Sequence, residues 1–201
     1  MIATLLRLVT GVRARFVGFD ADTCDGGCRV YFANHTSHLD GPIIWAALPR
    51  ALRRRTRPMA ARDYWSRGPL RRWLALRVFR CVLIERHKVT PSSNPLRGVE
   101  AAVDAGDSLI LFPEGTRGDG VEIGAFKPGI YHIARARPQL EFVPVYLENL
   151  NRILPRGEFL FIPLLSTAYF GPAIRLQEGE PRAAFVARAR DAVRRLQAGG
   201  G

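Results

Sequence analysis

Two short polar segments contain the residue types that acid–base chemistry requires. The first, called here the histidine segment, is residues 34–40 (Asn-His-Thr-Ser-His-Leu-Asp), in which His35 lies five positions before Asp40. On one α-helix this spacing would place the two side chains on different faces, so they meet only if the chain turns between them. If they do meet, Asp40 can hold one imidazole nitrogen and leave the other free as a base. The alternative is a capping turn at a helix start, since Ser37 and Asp40 suit that role equally well.

The second segment, called here the EGTR segment, is residues 112–117 (Phe-Pro-Glu-Gly-Thr-Arg). Arg117 can make bidentate bonds to a phosphate, Thr116 adds a hydroxyl, and Gly115 lets the backbone come close. Glu114 would repel a phosphate, so we expect it to orient an arginine or to bind an acceptor hydroxyl. The alternative is a charged surface turn containing a Glu–Arg pair. Because each segment follows a short apolar run, the pattern predicts one site assembled at the ends of two strands.

The elements that must position these segments alternate between short apolar runs and longer helical patterns, which predicts an α/β layer architecture. Strands are expected at residues 29–33, 58–62, 81–85, 108–112 and 141–147, and within 159–170. Helices are expected at residues 42–48, 70–78, 95–105, 128–136 and 181–197. We expect Gly199 to Gly201 to be disordered. With 201 residues and no linker or repeat, the chain is predicted to be a single domain.

The N-terminal region, residues 1–19, predicts an amphipathic helix that precedes a core of residues 20–178 and a C-terminal helix of residues 180–197. Its apolar residues recur at helical spacing, with Arg7 opposite them and Gly11 weakening the helix. The apolar set is Ile2, Leu5, Leu6, Val9, Val12, Phe16 and Phe19. Such a helix either lies in a membrane interface or packs on the core.

Charge predicts the partners. The net charge is +12, and the stretch from 50 to 80, called here the arginine-rich segment, holds eleven arginines against Asp63 alone, with Trp65 and Trp73 among them. This pattern suits an anionic membrane surface, an acidic acyl carrier protein or the phosphates of coenzyme A. No nucleic-acid-binding signature accompanies the charge, so we expect no nucleic acid partner.

Cysteine content and hydropathy predict the location. Three cysteines are an odd number without a dense framework, which favours a reducing compartment. No apolar run approaches the roughly 18 residues of a spanning helix, so we expect a cytoplasmic protein held peripherally at the inner face of the cell membrane. Cys24 and Cys28 lack the second pair of ligands that a zinc site needs, so no metal is expected.

Together the two segments resemble the first and third sequence blocks of the glycerolipid acyltransferases, the enzymes that acylate 1-acylglycerol-3-phosphate and related lysolipids. Residues 84–86 look like the end of the second block of that family, although the glycine usual upstream is missing. Residues 143–145 look like the fourth block. Residues 126–129 and 154–158 are also similar to segments of these enzymes, so the resemblance covers about residues 29–175.

The resemblance implies a glycerol-3-phosphate acyltransferase-like fold, with a central mixed, mostly parallel sheet flanked by helices. It also implies direct acyl transfer, with His35 as general base, Asp40 as its partner, and His38 in support. The implied substrate-binding residues are Arg86, Glu114, Gly115, Thr116 and Arg117. Ser37 is not expected to be a nucleophile, because no Gly-x-Ser-x-Gly pattern is present.

No cofactor is implied beyond the acyl donor, which is acyl-CoA or acyl carrier protein. The implied acceptor is a lysophospholipid, with 1-acylglycerol-3-phosphate first and phosphatidic acid as its product. The alternatives are a different lysolipid acceptor, or a catalytically silent basic module that binds membranes.

Overall fold

Seven strands form one sheet in the computed structural model, which describes residues 2–19, 27–85, 95–148 and 166–199. The strands are β1 (Arg13–Phe16), β2 (Arg29–Ala33), β3 (Thr56–Ala61), β4 (Val82–Ile84), β5 (Ser108–Leu111), β6 (Glu141–Glu148) and β7 (Thr167–Phe170). Their order is β1-β7-β6-β2-β5-β3-β4. Every pairing is parallel except that of β6 with β7. The prediction of a mixed, mostly parallel sheet is therefore confirmed.

Helices cover both faces of this sheet. They are α1 (Ile2–Thr10), α2 (Asp40–Ala47), α3 (Arg50–Arg54), α4 (Arg62–Trp65), α5 (Pro69–Trp73, continued by a π-helical turn at Leu74–Val78), α6 (Pro95–Asp104), α7 (Gly129–Ala136) and α8 (Arg182–Gly199). Within the four described stretches, no helix is both long enough and apolar enough to cross a bilayer.

Alternation along the central strands fills two cores, because successive side chains of a strand point to opposite faces. In β2, Val30 and Phe32 join the cluster beneath α6, α7 and α8, whereas Tyr31 and Ala33 join the cluster beneath α2. All five residues of β2 are buried, as is expected of a central parallel strand. The histidine segment thus leaves the sheet from a strand that is buried at every position.

The prediction of one helix over residues 2–19 was wrong. The helix α1 stops at Thr10, and Gly11 takes a left-handed φ of +61°, a conformation that commonly ends helices. The chain then forms β1, whose residues pair in parallel with β7 from the far end of the sequence. The apolar residues keep a helical spacing up to residue 19, so the sequence alone predicted one helix. Nothing in that spacing indicates that residues 13–16 pair with a distant strand. At the other end, the expected disordered tail was wrong for Gly199, which is the last residue of α8.

The arginine of α1, Arg7, bonds to the backbone of a neighbouring helix. Arg7 donates from Nε to the carbonyl oxygen of Ala46 at 2.6 Å, and from Nη2 to that of Leu48 at 3.0 Å. Arg53 donates to the same two carbonyls at 3.3 and 3.1 Å. Both guanidinium groups therefore cap the C-terminus of α2, where positive charge is favoured. The start of this helix, at Asp40, belongs to the histidine segment.

Candidate active site

His35 and Asp40 meet across the turn that joins β2 to α2. The Nδ1 atom of His35 lies 2.8 Å from Oδ2 of Asp40, and the Asp40 side chain is fully buried. The turn between them is closed by the Asp40 N–H, which donates to the carbonyl oxygen of Ser37 at 3.2 Å. When Nδ1 carries its proton towards Asp40, Nε2 is left unprotonated and can accept a proton. The geometry expected from the five-residue spacing is present.

Asp40 also organises the backbone of the histidine segment. Its Oδ2 accepts hydrogen bonds from the N–H groups of Thr36 at 2.7 Å and Ser37 at 2.8 Å, besides the contact to His35. The Ser37 hydroxyl accepts from the Leu39 N–H at 3.2 Å, which is a turn-stabilising role and not that of a nucleophile. The same carboxylate therefore stabilises the turn and contacts His35, whereas α2 has no side-chain cap at its N-terminus, so the capping interpretation was wrong. The role of His35 as a base stays a prediction.

The EGTR segment contacts His35 through three different groups. Its Phe112 ring stacks on the imidazole with centroids 4.3 Å apart. The His35 N–H donates to Oε1 of Glu114 at 2.9 Å, and the His35 carbonyl accepts from the Gly118 N–H at 2.8 Å. The two segments therefore form one site at neighbouring strand ends, as β2 and β5 are paired in the sheet.

Among the described residues Glu114 pairs with no arginine, so that half of the expectation was wrong, and its contact with an acceptor hydroxyl stays a prediction. Its second oxygen, Oε2, accepts from the Gly124 N–H at 3.1 Å, so both oxygens bond to main-chain donors. Burial raises the pKa of this carboxyl, and the two N–H donors oppose that rise. A Cβ at position 124 would lie 2.6 Å from Oε2, so the close approach requires glycine there. Glu114 ties the backbone of His35 to the following loop.

The rest of the EGTR segment is open to a ligand. Gly115 has a φ of +70° and its N–H donates to the Phe112 carbonyl at 3.1 Å, which closes the turn. Thr116 is exposed and Arg117 is half-buried. Among the described residues, no carboxylate lies within 4.0 Å of the Arg117 guanidinium. Arg86, the remaining predicted phosphate contact, lies outside the described residues, as do residues 154–158.

Lys127 was missed as a neighbour of this turn. A Cβ on Gly115 would lie 2.7 Å from Lys127 Nζ, so the lysine side chain crosses the glycine. The Lys127 N–H donates to the Pro113 carbonyl at 2.8 Å, which holds the two stretches together. The segment 126–129 was noted only for its resemblance. The one further signal was its rarity, since Lys occurs in this chain only at positions 88 and 127.

The other polar residues of the histidine segment hold the site in place. Asn34 forms a pair of hydrogen bonds with the backbone of Leu147 in β6, at 3.1 and 2.8 Å. His38 stacks on the Tyr64 ring at a centroid distance of 3.7 Å, and the Arg71 guanidinium lies 4.8 Å from the centroid of that ring. His38 is thus directed towards α4 and α5, and its supporting role stays a prediction.

The predicted absence of a metal remains a prediction. Cys28 is half-buried and its thiol approaches the Val103 carbonyl at 3.6 Å, whereas Cys24 lies outside the described residues. Within residues 2–19, 27–85, 95–148 and 166–199, no group of three or more His, Cys, Asp or Glu side chains could hold a metal ion.

Comparisons with known proteins agree with the site and the sheet. The family model described as Acyltransferase matches residues 22–148, which include both polar segments. The structure of the 1-acyl-sn-glycerophosphate (LPA) acyltransferase PlsC from Thermotoga maritima is similar, with a TM-score of 0.74 and 17% identity over 97% of this chain and 78% of that one. At 17% identity, this structural similarity supports the fold alone. No curated protein matches the sequence.

Proposed function

The chain belongs to the acyltransferase family, and from that premise we propose that it moves a fatty acyl group from an acyl thioester to the free hydroxyl of a lysolipid. The first candidate acceptor is 1-acylglycerol-3-phosphate, which would give phosphatidic acid for phospholipid biosynthesis. The observation that carries this proposal is the His35–Asp40 pair, at 2.8 Å, held against the EGTR segment.

The proposed reaction is a direct displacement at the thioester carbonyl. Nε2 of His35 removes the proton of the acceptor hydroxyl while its oxygen attacks the carbonyl carbon. The tetrahedral intermediate then collapses, the C–S bond breaks, and the thiolate leaves with the proton that His35 had taken. Asp40 holds the ring in the required tautomer and stabilises the imidazolium that forms between the two steps.

Within this mechanism, Glu114 is a positioning residue. It accepts a hydrogen bond from the His35 backbone N–H, so it fixes the backbone position from which the imidazole side chain extends. Arg117 and Thr116 are left to bind the acceptor phosphate, with Arg86 as a further proposed contact. The donor is acyl-CoA or acyl carrier protein, and a different lysolipid headgroup is the alternative acceptor.

The test is transfer of a labelled acyl group from acyl-CoA or acyl carrier protein to a panel of lysolipids, with free thiol measured in parallel. We expect thiol release that depends on a lysolipid, and a loss of about 10²–10⁴-fold in His35→Ala, the range for removing a general base. His132→Ala in α7 is the matched control, because it removes a histidine outside the site. Full activity in His35→Ala would refute the mechanism, and a wild type inactive with every pair would favour a silent binding module.

We also propose that the protein attaches peripherally to the cytoplasmic face of an anionic membrane. Along α5 and its π-helical turn, Leu70, Trp73 and Leu76 follow one another at helical spacing and are 68%, 51% and 41% exposed. Leu5 and Leu8 of α1 are 60% and 78% exposed. The two helices are neighbours, since α1 and the π-helical turn pack against the same small buried cluster. Apolar side chains amid the arginine-rich segment suit an interface of anionic headgroups.

Sedimentation with vesicles tests this attachment separately from catalysis. We expect binding to phosphatidylglycerol vesicles at physiological salt, little binding to phosphatidylcholine, and loss of binding in Leu8→Ser/Trp73→Ser. Val121→Ser is the control, because Val121 is an equally exposed apolar residue on the loop after the EGTR segment. Equal binding of wild type and the double variant would remove these helices from the contact, and no binding by wild type would refute the attachment.

A further inference from the structure

The ammonium group of Lys127 is held at the EGTR turn by the backbone and by close packing. Measured from a Cβ built on Gly115, Nζ is 2.7 Å away and both Cδ and Cε are 3.0 Å away, so the side chain lies along the glycine. The hydrogen bond from the Lys127 N–H to the Pro113 carbonyl fixes the base of the side chain. On one side of Lys127, the buried Phe126 anchors the chain in the core.

The loop that leads to Lys127 is fixed at two further points. The Gly124 N–H bonds to Glu114, and the Ile123 carbonyl accepts from the guanidinium of Arg190 in α8 at 3.1 Å. The position of Lys127 beside Gly115 is therefore set by contacts that do not involve its own ammonium group. Such a preset cation can bind an anion without first ordering the loop.

The charge balance of this turn can be followed among the residues that the structure describes. Within the described stretches of the chain, no carboxylate lies within 4.0 Å of the Lys127 ammonium or the Arg117 guanidinium. Glu114 is next to Gly115 in sequence, yet both of its oxygens are bonded to main-chain N–H groups. Lys127 lies along Gly115, and Arg117 follows two positions later in the same segment. Two cations that lack a carboxylate partner among the described residues suit an anion.

The use of lysine at position 127 is informative in a chain whose cations are otherwise nearly all arginine. An ammonium group is a compact charge on a flexible stem, whereas a guanidinium is a planar fork that needs more room. The space over Gly115 is narrow, as the distances of 2.7–3.0 Å show. Lysine fits along this glycine and still presents a charge at the EGTR turn.

We propose that Lys127 and Arg117 together bind the phosphate monoester of the acceptor lipid, which makes Lys127 a residue that selects phosphorylated over neutral acceptors. The inference rests on the proposed acyl transfer and adds to it the chemical class of the acceptor headgroup. Arg117 supplies the bidentate contact and Lys127 supplies the point charge.

Steady-state kinetics test the selection with two acceptors that differ only in the phosphate, 1-acylglycerol-3-phosphate and 1-acylglycerol. In Lys127→Ala we expect the KM for the phosphorylated acceptor to rise about 10-fold, with kcat within about 3-fold and the KM for the donor unchanged. The KM for 1-acylglycerol should not change, and Lys127→Arg should recover part of the loss. Arg135→Gln, an exposed charge lost from α7, should leave every value unchanged.

A binding measurement separates this inference from the proposed reaction. Reductive methylation with ¹³C labels only Lys127, Lys88 and the N-terminal amine, and Lys127→Arg identifies the Lys127 signal. We expect glycerol 3-phosphate, and short-chain 1-acylglycerol-3-phosphate more strongly, to shift the Lys127 signal, and 1-acylglycerol to leave it in place.

The outcomes are distinct. A shifted Lys127 signal in a protein that transfers no acyl group would sustain the phosphate site and refute the reaction. An active wild type whose Lys127 signal ignores the phosphate would overturn the site, and so would a Lys127→Ala variant whose KM rises equally for both acceptors. A rise in the KM for acyl-CoA alone would assign Lys127 to the donor and overturn it too.

Discussion

The histidine segment and the EGTR segment lie side by side, but they use their polar groups in opposite ways. In the histidine segment, Asp40 and His35 bond to each other and to nearby backbone, so the segment is organised before any ligand arrives. In the EGTR segment only the acid turns inward, while Thr116 and Arg117 remain open. A group that must move a proton needs a fixed geometry, whereas a group that binds an anion needs unused donors.

The largest effect is expected from breaking the inward-facing pair. Asp40→Asn removes the negative charge beside His35, so it weakens the stabilisation of the imidazolium and the hydrogen bonds that hold the turn. We expect kcat to fall about 10³–10⁴-fold, the scale known for such orienting carboxylates. Acyl transfer at saturating acceptor measures the loss, and circular dichroism checks that the variant is folded. A fall of less than about 10-fold would mean that Asp40 only stabilises the turn before α2.

The next effect tests whether Glu114 belongs with the inward-facing group. Because it holds the His35 backbone, we expect Glu114→Ala to lower kcat about 100-fold through misplacement of the imidazole, with the KM for the acceptor changed far less. Glu114→Gln keeps one acceptor oxygen and should lose less. If the KM rises while kcat is unchanged, Glu114 contacts the acceptor and does not belong with the inward-facing groups.

A smaller effect is expected in the outward-facing group. Arg117→Ala removes the proposed phosphate contact but none of the bonds seen within the described structure. We therefore expect the KM for 1-acylglycerol-3-phosphate to rise about 10-fold or more at nearly constant kcat. Arg117→Lys should restore part of the affinity. Equal losses in kcat and kcat/KM would place Arg117 with the groups that act only in the transition state.

The smallest effect concerns pH and the burial of Glu114. Burial raises the pKa of this carboxyl, so the folded chain holds the proton to a higher pH than the unfolded chain does. The resulting stability is complete below the pKa of an ordinary glutamate and is lost as pH rises through the raised value. The Tm of wild type relative to Glu114→Gln should therefore be higher at acid pH than at neutral pH, and about 1 kcal/mol corresponds to about 2–4 °C in a chain this size. A difference independent of pH would contradict the shift.

Two kinds of feature could be predicted from the sequence: contacts between side chains close together in the chain, and the meeting of segments that follow neighbouring strands. The His35–Asp40 pair was predictable because a turn of five residues is local. The roles of Glu114 and Lys127 were not, since their partners are backbone groups and a glycine, which leave no trace in a pattern of side chains. The strand β1 was missed because its partner β7 is far away in the sequence, and because the apolar residues around it have the spacing of a helix.

The pairing of β1 with β7 affects the order in which contacts form during folding. Arg13 pairs with Thr167, a partner far along the sequence, and two further strands separate β1 from β2 in the sheet. Contacts between such distant residues form late, because a long loop must close before they are gained. The contact between His35 and Asp40, which are five positions apart, closes no such loop and can form before β1 pairs with β7.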